Sequence, residues 1–341
     1  AVGDVTMSAA NTNVSQHAGE IMALEEGHWP FVVSGELETV GPNNYDKKLA
    51  GPMTAHPKIC AETGELLAFS YGMSEPYLTY IRASASGELL QAEPITVPGA
   101  TMIHDFNITR NYSIFMDLPA VWNFEGMATT GLPILWDESY GARLGVMPRN
   151  GTDADVVWYE IDPCYVFHPL NAYEDDGKIV LDVCRMEDTM KPGSSAPPLM
   201  YRWVIDQAAG KVHETQIDDR VVDFPRVCDS VVGLKHQYGY CAAFASGAPF
   251  GEGLVKYDMA SGSSEYRHLD GGQASEAVFV KNSEGTGEDD GWLMTYVYQP
   301  EIDQSEVLIL NAQDFSGEPA ARIQLPVRVP AGFHGNWMAD S

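Results

Sequence analysis

The chain has 341 residues, with 48 Asp and Glu against 20 Lys and Arg, for a formal net charge of −28. That balance repels a phosphate backbone and excludes nucleic acid as a partner; its plain reading is a solvated acidic surface of the kind a saline setting favours. Five cysteines, Cys60, Cys164, Cys184, Cys228 and Cys241, are odd in number, widely spaced and free of any C-x-x-C, so neither a disulfide framework nor a thiolate zinc site is indicated and buried free thiols in a reducing, cytoplasmic compartment are expected.

In chain order, residues 11 to 40 alternate as strands, with Gly19 and Gly27 near turns and Glu26 closing the apolar run Ile21-Met22-Ala23-Leu24. For an isolated Glu the simplest reading is a solvated strand end. His56 then opens His-Pro-Lys-Ile-Cys; Ala61-Glu62-Thr63-Gly64 reads as a turn and Glu65 to Tyr71 as the returning strand. His104 repeats the layout, with β-rich runs Ile103 to Thr109 and Tyr112 to Leu118 on either side of the two-residue turn Arg110-Asn111. Residues 120 to 134 are apolar without a clear period and read as a long loop over one mouth of the fold, either packed cover or substrate wall. His168 heads a third hairpin, which turns at Asp175-Asp176-Gly177 and returns over Lys178 to Cys184. The three histidines stand 48 and then 64 residues apart.

Further strands are read at Leu199 to Asp206, Lys211 to Ile217, Gly233 to Phe244, Gly253 to Asp258, Ser263 to His268, Trp292 to Tyr298 and Glu306 to Asn311. Asp223-Phe224-Pro225-Arg226 places a carboxylate beside an aromatic ring and a proline, a setting for a fixed side chain. No helix is needed. The class is all-β, one large domain over 1–341, and a four-strand unit recurring every ~40–50 residues is the signature of a β-propeller. Histidines that start equivalent strands converge on the axis of such a fold. A fourth, His334 in Gly-Phe-His-Gly-Asn-Trp, has flanking glycines that permit close backbone approach. Four imidazoles on one axis make a metal site, and imidazole alone does not choose among zinc, copper, iron and nickel. A ligating histidine usually gives its second N–H to a carboxylate, and Glu26, Asp223 and Glu276 are the candidates. His17, His28, His213, His236 and His268 read as ordinary core or surface histidines.

Thr54-Ala55-His56-Pro57-Lys58, Met102-Ile103-His104-Asp105-Phe106, His168-Pro169-Leu170-Asn171-Ala172-Tyr173-Glu174, Asp223-Phe224-Pro225-Arg226 and Gly332-Phe333-His334-Gly335-Asn336-Trp337 together resemble the carotenoid cleavage oxygenases. That family includes apocarotenoid oxygenases, lignostilbene dioxygenases and the retinal pigment epithelium isomerohydrolase. The resemblance runs through essentially the whole chain. It implies a seven-bladed propeller with Fe(II) held by His56, His104, His168 and His334. It also implies outer carboxylates at Glu26 for His104, Asp223 for His168 and Glu276 for His334. Asp223 departs from the family's glutamate, and its shorter reach must be met by a longer bond, a water or a backbone shift. Glu25 stands where stilbene-cleaving members carry a phenolate-binding lysine, which makes it a candidate determinant of substrate selectivity. Family members also have roughly a quarter more chain ahead of the segment matching Ala1, so the first blade is expected from an upstream segment, which could carry a targeting signal, or from a partner chain.

The resulting expectation is a non-haem iron dioxygenase that cleaves one C=C bond of an apocarotenoid or related conjugated substrate with O2. Two alternatives stand beside it: stilbene cleavage by the same chemistry, and a non-catalytic propeller that binds a hydrophobic ligand or partner. The resemblance also brings peripheral membrane contact, without a segment to which it can be assigned.

Overall fold

A computed structural model describes residues 4–339 except 132, 195, 246, 247, 249 and 275. Its strands form antiparallel four-stranded units laid out in chain order. The first comprises Asn13–His17, Glu20–Leu24, Phe31–Val33 and Thr39–Pro42; the second Lys58–Ile59, Leu66–Tyr71, Leu78–Ala83 and Leu89–Ile95. The third pairs Asn107–Ile108, Tyr112–Asp117, Ala142–Pro148 and Val157–Ile161. The fourth comprises Tyr165–Asp175, Lys178–Met186, Leu199–Asp206 and the first half of Lys211–Arg226. The second half of that 16-residue strand belongs to the fifth unit, where Val222 and Asp223 face Ala243 and Ala242 on Tyr238–Phe244, which continues to Gly251–Asp258 and Ser263–His268. The sixth is Val278–Lys281, Gly291–Gln299, Gln304–Asn311 and Ala321–Gln324. These six units are propeller blades.

Side-chain alternation explains how the blades hold together, because successive residues of a strand point to opposite faces. In Leu66–Tyr71, Leu66 and Ala68 pack with Met22 and Leu24 of the first blade, while Leu67 and Phe69 pack with Ile108, Phe115 and Met147 of the third. A strand buried on both faces therefore reads as the unbroken apolar run Leu-Leu-Ala-Phe. The pattern repeats between the third and fourth blades at Ile114, Met116, Leu181 and Trp203, and between the fifth and sixth at Tyr240, Leu254, Leu293 and Leu308. The sixth blade buries Leu293 and Val297 on one face and leaves Trp292 and Tyr296 exposed on the other.

The hairpin turns follow their residue chemistry. Asp176 and Gly177 both have positive φ, 48° and 73°, between Asp175 and its partner Lys178, as a two-residue primed turn requires. Three local expectations are corrected. Residues 120 to 134 are not an irregular loop: Ala120–Trp122 pairs with Ile134–Trp136, and between them lies the short helix Phe124–Thr130. Asn123 caps that helix by accepting from Gly126 N, and Gly131, at φ 74°, ends it. The strand read from Gly233 starts only at Tyr238, because Gly233 adopts φ 78° in a turn. Of the run Ile103 to Thr109, only Asn107–Ile108 is strand, which frees His104 to extend from irregular backbone. All five cysteines are free and buried. No helix among the described residues is long and apolar enough to cross a membrane.

Candidate metal centre

Three histidines reach the axis from the inner strand of a blade. His56 lies two residues before Lys58–Ile59, His104 three before Asn107–Ile108, and His168 within Tyr165–Asp175, where the register shifts between Val166 and Pro169. His334 arrives on the C-terminal segment. Among the described residues that segment has no strand pairing of its own and is tied instead by His334 N to Thr12 O at 3.1 Å and Asn336 Nδ2 to Val14 O at 2.5 Å. The expected close approach at Gly332 and Gly335 is absent, since a Cβ built on either meets nothing within 4 Å. What Gly335 supplies is its N–H, donated to Glu276 Oε2 at 2.9 Å.

The four rings meet. One nitrogen from each of His56, His104, His168 and His334 lies within 4.8 Å of the others. The remaining five histidines take no part in this cluster. His104 Nδ1 is 2.5 Å from Glu26 Oε1, His168 Nδ1 is 2.8 Å from Asp223 Oδ1, and His334 Nδ1 is 3.0 Å from Glu276 Oε1. A carboxylate only accepts, so in each pair the proton sits on Nδ1 and the Nε2 lone pair faces inward.

Asp223 reaches His168 directly despite being one methylene shorter than glutamate. The backbone makes up the length: the register slips between Asp223 and Arg226, and Phe224 is left-handed at φ 53°. Asp223 Oδ1 also accepts from Phe224 N at 2.9 Å, which fixes the carboxylate.

Electrostatics follow these contacts. Burial would raise Glu26, but its hydrogen bond to His104, the charge there and a short hydrogen bond from Tyr71 outweigh it and hold the carboxyl low. Glu276 is likewise drawn down to about 2 against its burial, by the Arg226 guanidinium 3.3 Å away and by His334. Burial lowers His56 well below the usual imidazole value and also wins at His334, whereas at His168 the Asp223 charge overcomes burial and raises it.

These donors fit a metal ion. His56 and His104 Nε2 are 3.0 Å apart, and His104 and His168 Nε2 are 3.2 Å apart. Lone pairs at that range repel unless a cation lies between them. Metal–imidazole bonds of about 2.1 Å, set between right and tetrahedral angles, place neighbouring nitrogens roughly 3.0 to 3.4 Å apart. No carboxylate belongs to the cluster itself.

Two cavities flank the centre. One, of about 270 Å³, has a mixed lining that includes His56, His168, His334, Lys58, Asp105 and Asn107; the other, of about 470 Å³, lies along the sixth blade beside Met294, Tyr296, Tyr298, Phe333 and Trp337. Glu25 lines neither cavity. Its carboxylate makes a short contact with His28 Nδ1 and accepts from Gly27 N at 3.2 Å. Aromatic rings crowd the histidines, with Phe167 centred 5.3 Å from His104 and Phe224 stacked 5.0 Å from His168. Tyr71, Trp122, Trp136 and Met190 are half-buried and pack against the core between the third and fourth blades. Sequence reasoning missed Tyr71, Arg226 as partner of Glu276, and Asp105; only Asp105 carried a signal, by directly following a candidate ligand.

A β-propeller that gathers four imidazoles on its axis, three of them backed by carboxylates, presents a donor set that fits a metal ion. The chain belongs to the carotenoid cleavage oxygenase family: the family model described as retinal pigment epithelial membrane protein matches residues 1–339. The carotenoid cleavage oxygenase of Mycobacterium tuberculosis is 37% identical over 384 residues, covering 96% of this chain and 76% of its own. The carotenoid 9,10(9',10')-cleavage dioxygenase of Crocus sativus is 35% identical and covers 96% of this chain, which spans 66% of that enzyme. The crystal structure of Pseudomonas brassicacearum lignostilbene dioxygenase superposes with a TM-score of 0.90 at 30% identity, over 98% of this chain and 76% of that one.

Proposed function

We propose that this protein is an Fe(II)-dependent dioxygenase that splits one C=C bond of an apocarotenoid or related conjugated substrate. Both atoms of O2 enter the products, one in each of two carbonyls, so the reaction needs no other reductant. The observation that carries the reading is the convergence of His56, His104, His168 and His334 with inward Nε2 atoms. The reading takes residues 1–341 as one propeller domain, supported by the strand shared between the fourth and fifth blades. The names of the relatives support the reaction class.

Fe(II) held by the four imidazoles supplies the activation of O2 when bound. Everything else falls to the chain. Glu26, Asp223 and Glu276 keep Nδ1 protonated and the rings fixed in orientation. Tyr71 donates to Glu26 and steadies it. Phe167 and Phe224 offer flat apolar faces for a polyene and exclude water from the rings. Specificity is then geometric, set by which double bond lies beside the histidines.

Stilbene cleavage is the second reading, favoured by the lignostilbene dioxygenase likeness. Against it stands Glu25 in place of the phenolate-binding lysine. The test is aerobic bleaching of an apocarotenal's visible absorbance with added Fe(II), followed by mass analysis of products made under ¹⁸O2. One labelled oxygen in each product is expected. No bleaching by iron-loaded protein, or label in only one product, overturns the proposal.

A further inference from the structure

Three of the four imidazoles have a carboxylate 2.5 to 3.0 Å from Nδ1; His56 is the exception. The acidic group nearest its Nδ1 is Asp105, whose Oδ2 is 3.6 Å away. Asp105 is 3% exposed and firmly anchored. Lys58 Nζ lies 2.8 Å from Oδ1 and 3.0 Å from Oδ2, and Oδ1 also accepts from Phe106 N at 2.7 Å.

The placement in sequence gives this ion pair a second consequence. Lys58 follows His56 by two residues and Asp105 follows His104 by one, so the Lys58–Asp105 contact ties the head of the second blade to the head of the third. Those two heads carry the ligand nitrogens that stand 3.0 Å apart. A buried carboxylate neutralised by a lysine is also a weaker acceptor than a bare one, so His56 feels less pull on its Nδ1 proton than His104 and His168 do.

We propose that Asp105, fixed by Lys58, is the positioning residue of His56, completing a carboxylate for every imidazole and setting the spacing of His56 and His104. The proposal rests on the reading of the four histidines as metal ligands. At 3.6 Å the contact is longer than the other three, which places the effect of its loss at the low end of the 10–100-fold known for such partners.

Co²⁺ is the probe, added to metal-stripped protein of the full chain, with affinity read by competition against a chelator and geometry read from the visible spectrum of the bound ion. Asp105→Asn should weaken Co²⁺ binding about tenfold and shift the visible bands, while metal-free thermal melting changes little. Asp105→Glu, whose longer reach restores a carboxylate at His56 Nδ1, should bring affinity back to within about threefold of the parent. An Asp105→Asn protein with the parent's affinity and spectrum overturns the proposal, as does a loss that merely follows the unfolded fraction in the melt. Should Asp105→Asn not fold, Lys58→Met carries the test: Asp105, released, moves onto His56 and the bands shift, whereas a purely structural ion pair leaves the folded protein's spectrum unchanged. His56→Ala runs in parallel. If it binds Co²⁺ like the parent, the four-histidine reading itself fails; if it loses Co²⁺ while the Asp105 variants do not, only the present proposal fails.

Discussion

Asp223 stands where the family resemblance implies a glutamate, and the structure makes an unusual prediction there: a glutamate should weaken the centre. Asp223 Oδ1 already lies 2.8 Å from His168 Nδ1 and 2.9 Å from Phe224 N. The bulge before Arg226 and the left-handed Phe224 have moved the backbone to suit a short side chain. A further methylene must therefore displace the imidazole or the strand, and overpacking of a fitted site costs about 1–3 kcal/mol. Asp223→Ala, by contrast, removes a charge-assisted hydrogen bond worth about 1.5–3 kcal/mol. At about 1.4 kcal/mol per decade that corresponds to roughly a 10–100-fold loss of metal affinity. Calorimetric titration of metal-stripped protein with Co²⁺ or Fe²⁺ should thus rank parent tightest, Asp223→Glu several-fold weaker and Asp223→Ala weakest. Urea unfolding of the metal-free proteins separates site effects from global ones. A glutamate variant that binds ten times more tightly, or an alanine variant indistinguishable from the parent, refutes the account of how the backbone compensates.

Alanine at Glu26 or Glu276 should reduce retained iron and turnover about 10–100-fold; parent-like iron content and turnover in both variants would remove these carboxylates from the site. If Glu25 stands where the resemblance puts a phenolate-binding lysine, Glu25→Lys should raise kcat/KM for resveratrol relative to an apocarotenal by about tenfold, although Glu25 must first give up its contact with His28. No relative gain, or faster resveratrol cleavage by the parent than apocarotenal cleavage, counts against Glu25 as a selector. Away from the centre, burial pushes His236 down to about 4 from 6.5, with its Nδ1 held by Asn171 Nδ2 at 3.2 Å. The unfolded chain therefore binds the extra proton first. This contribution is fully present above pH 6.5 and is lost as pH falls toward 4, by up to roughly 3 kcal/mol. Urea midpoints for the parent and His236→Gln should converge over that window, and parallel pH profiles would disprove the assignment.

The sequence was most legible where chemistry is local. Hairpins announced themselves because Asp176-Gly177 and Arg110-Asn111 sit between alternating runs, and three histidines stood out because each headed the same layout. Long-range facts were harder to see. The strand read as ending at Ile217 runs on through Asp218-Asp219 to Arg226 and passes from the fourth blade to the fifth, a continuation that no local signal in the sequence announces. The helix Phe124–Thr130 carried its signals in Asn123 and Gly131, but seven residues among apolar strands offer too little periodicity to outweigh the surroundings. At Gly335 the residue was singled out for the wrong reason, its small size rather than the N–H it gives to Glu276.

His334 shows how the centre and the fold depend on each other. Its segment has no ladder to hold it, only single hydrogen bonds to distant places. His334 N and Asn336 Nδ2 bind the first blade, Arg226 from the fifth binds Gly335 O at 3.1 Å and Asn336 Oδ1 at 2.6 Å, and Glu276 receives both His334 and Gly335. Each is worth about 1 kcal/mol net, or somewhat more where a charge takes part. A metal ion that binds only when His334 is docked adds to them by mass action, about 2.7 kcal/mol at a hundred times its Kd. His334 is therefore also the clasp between the last segment and the first blade, and loss of a metal held there should be felt first as loosening of that clasp rather than in the interblade cores.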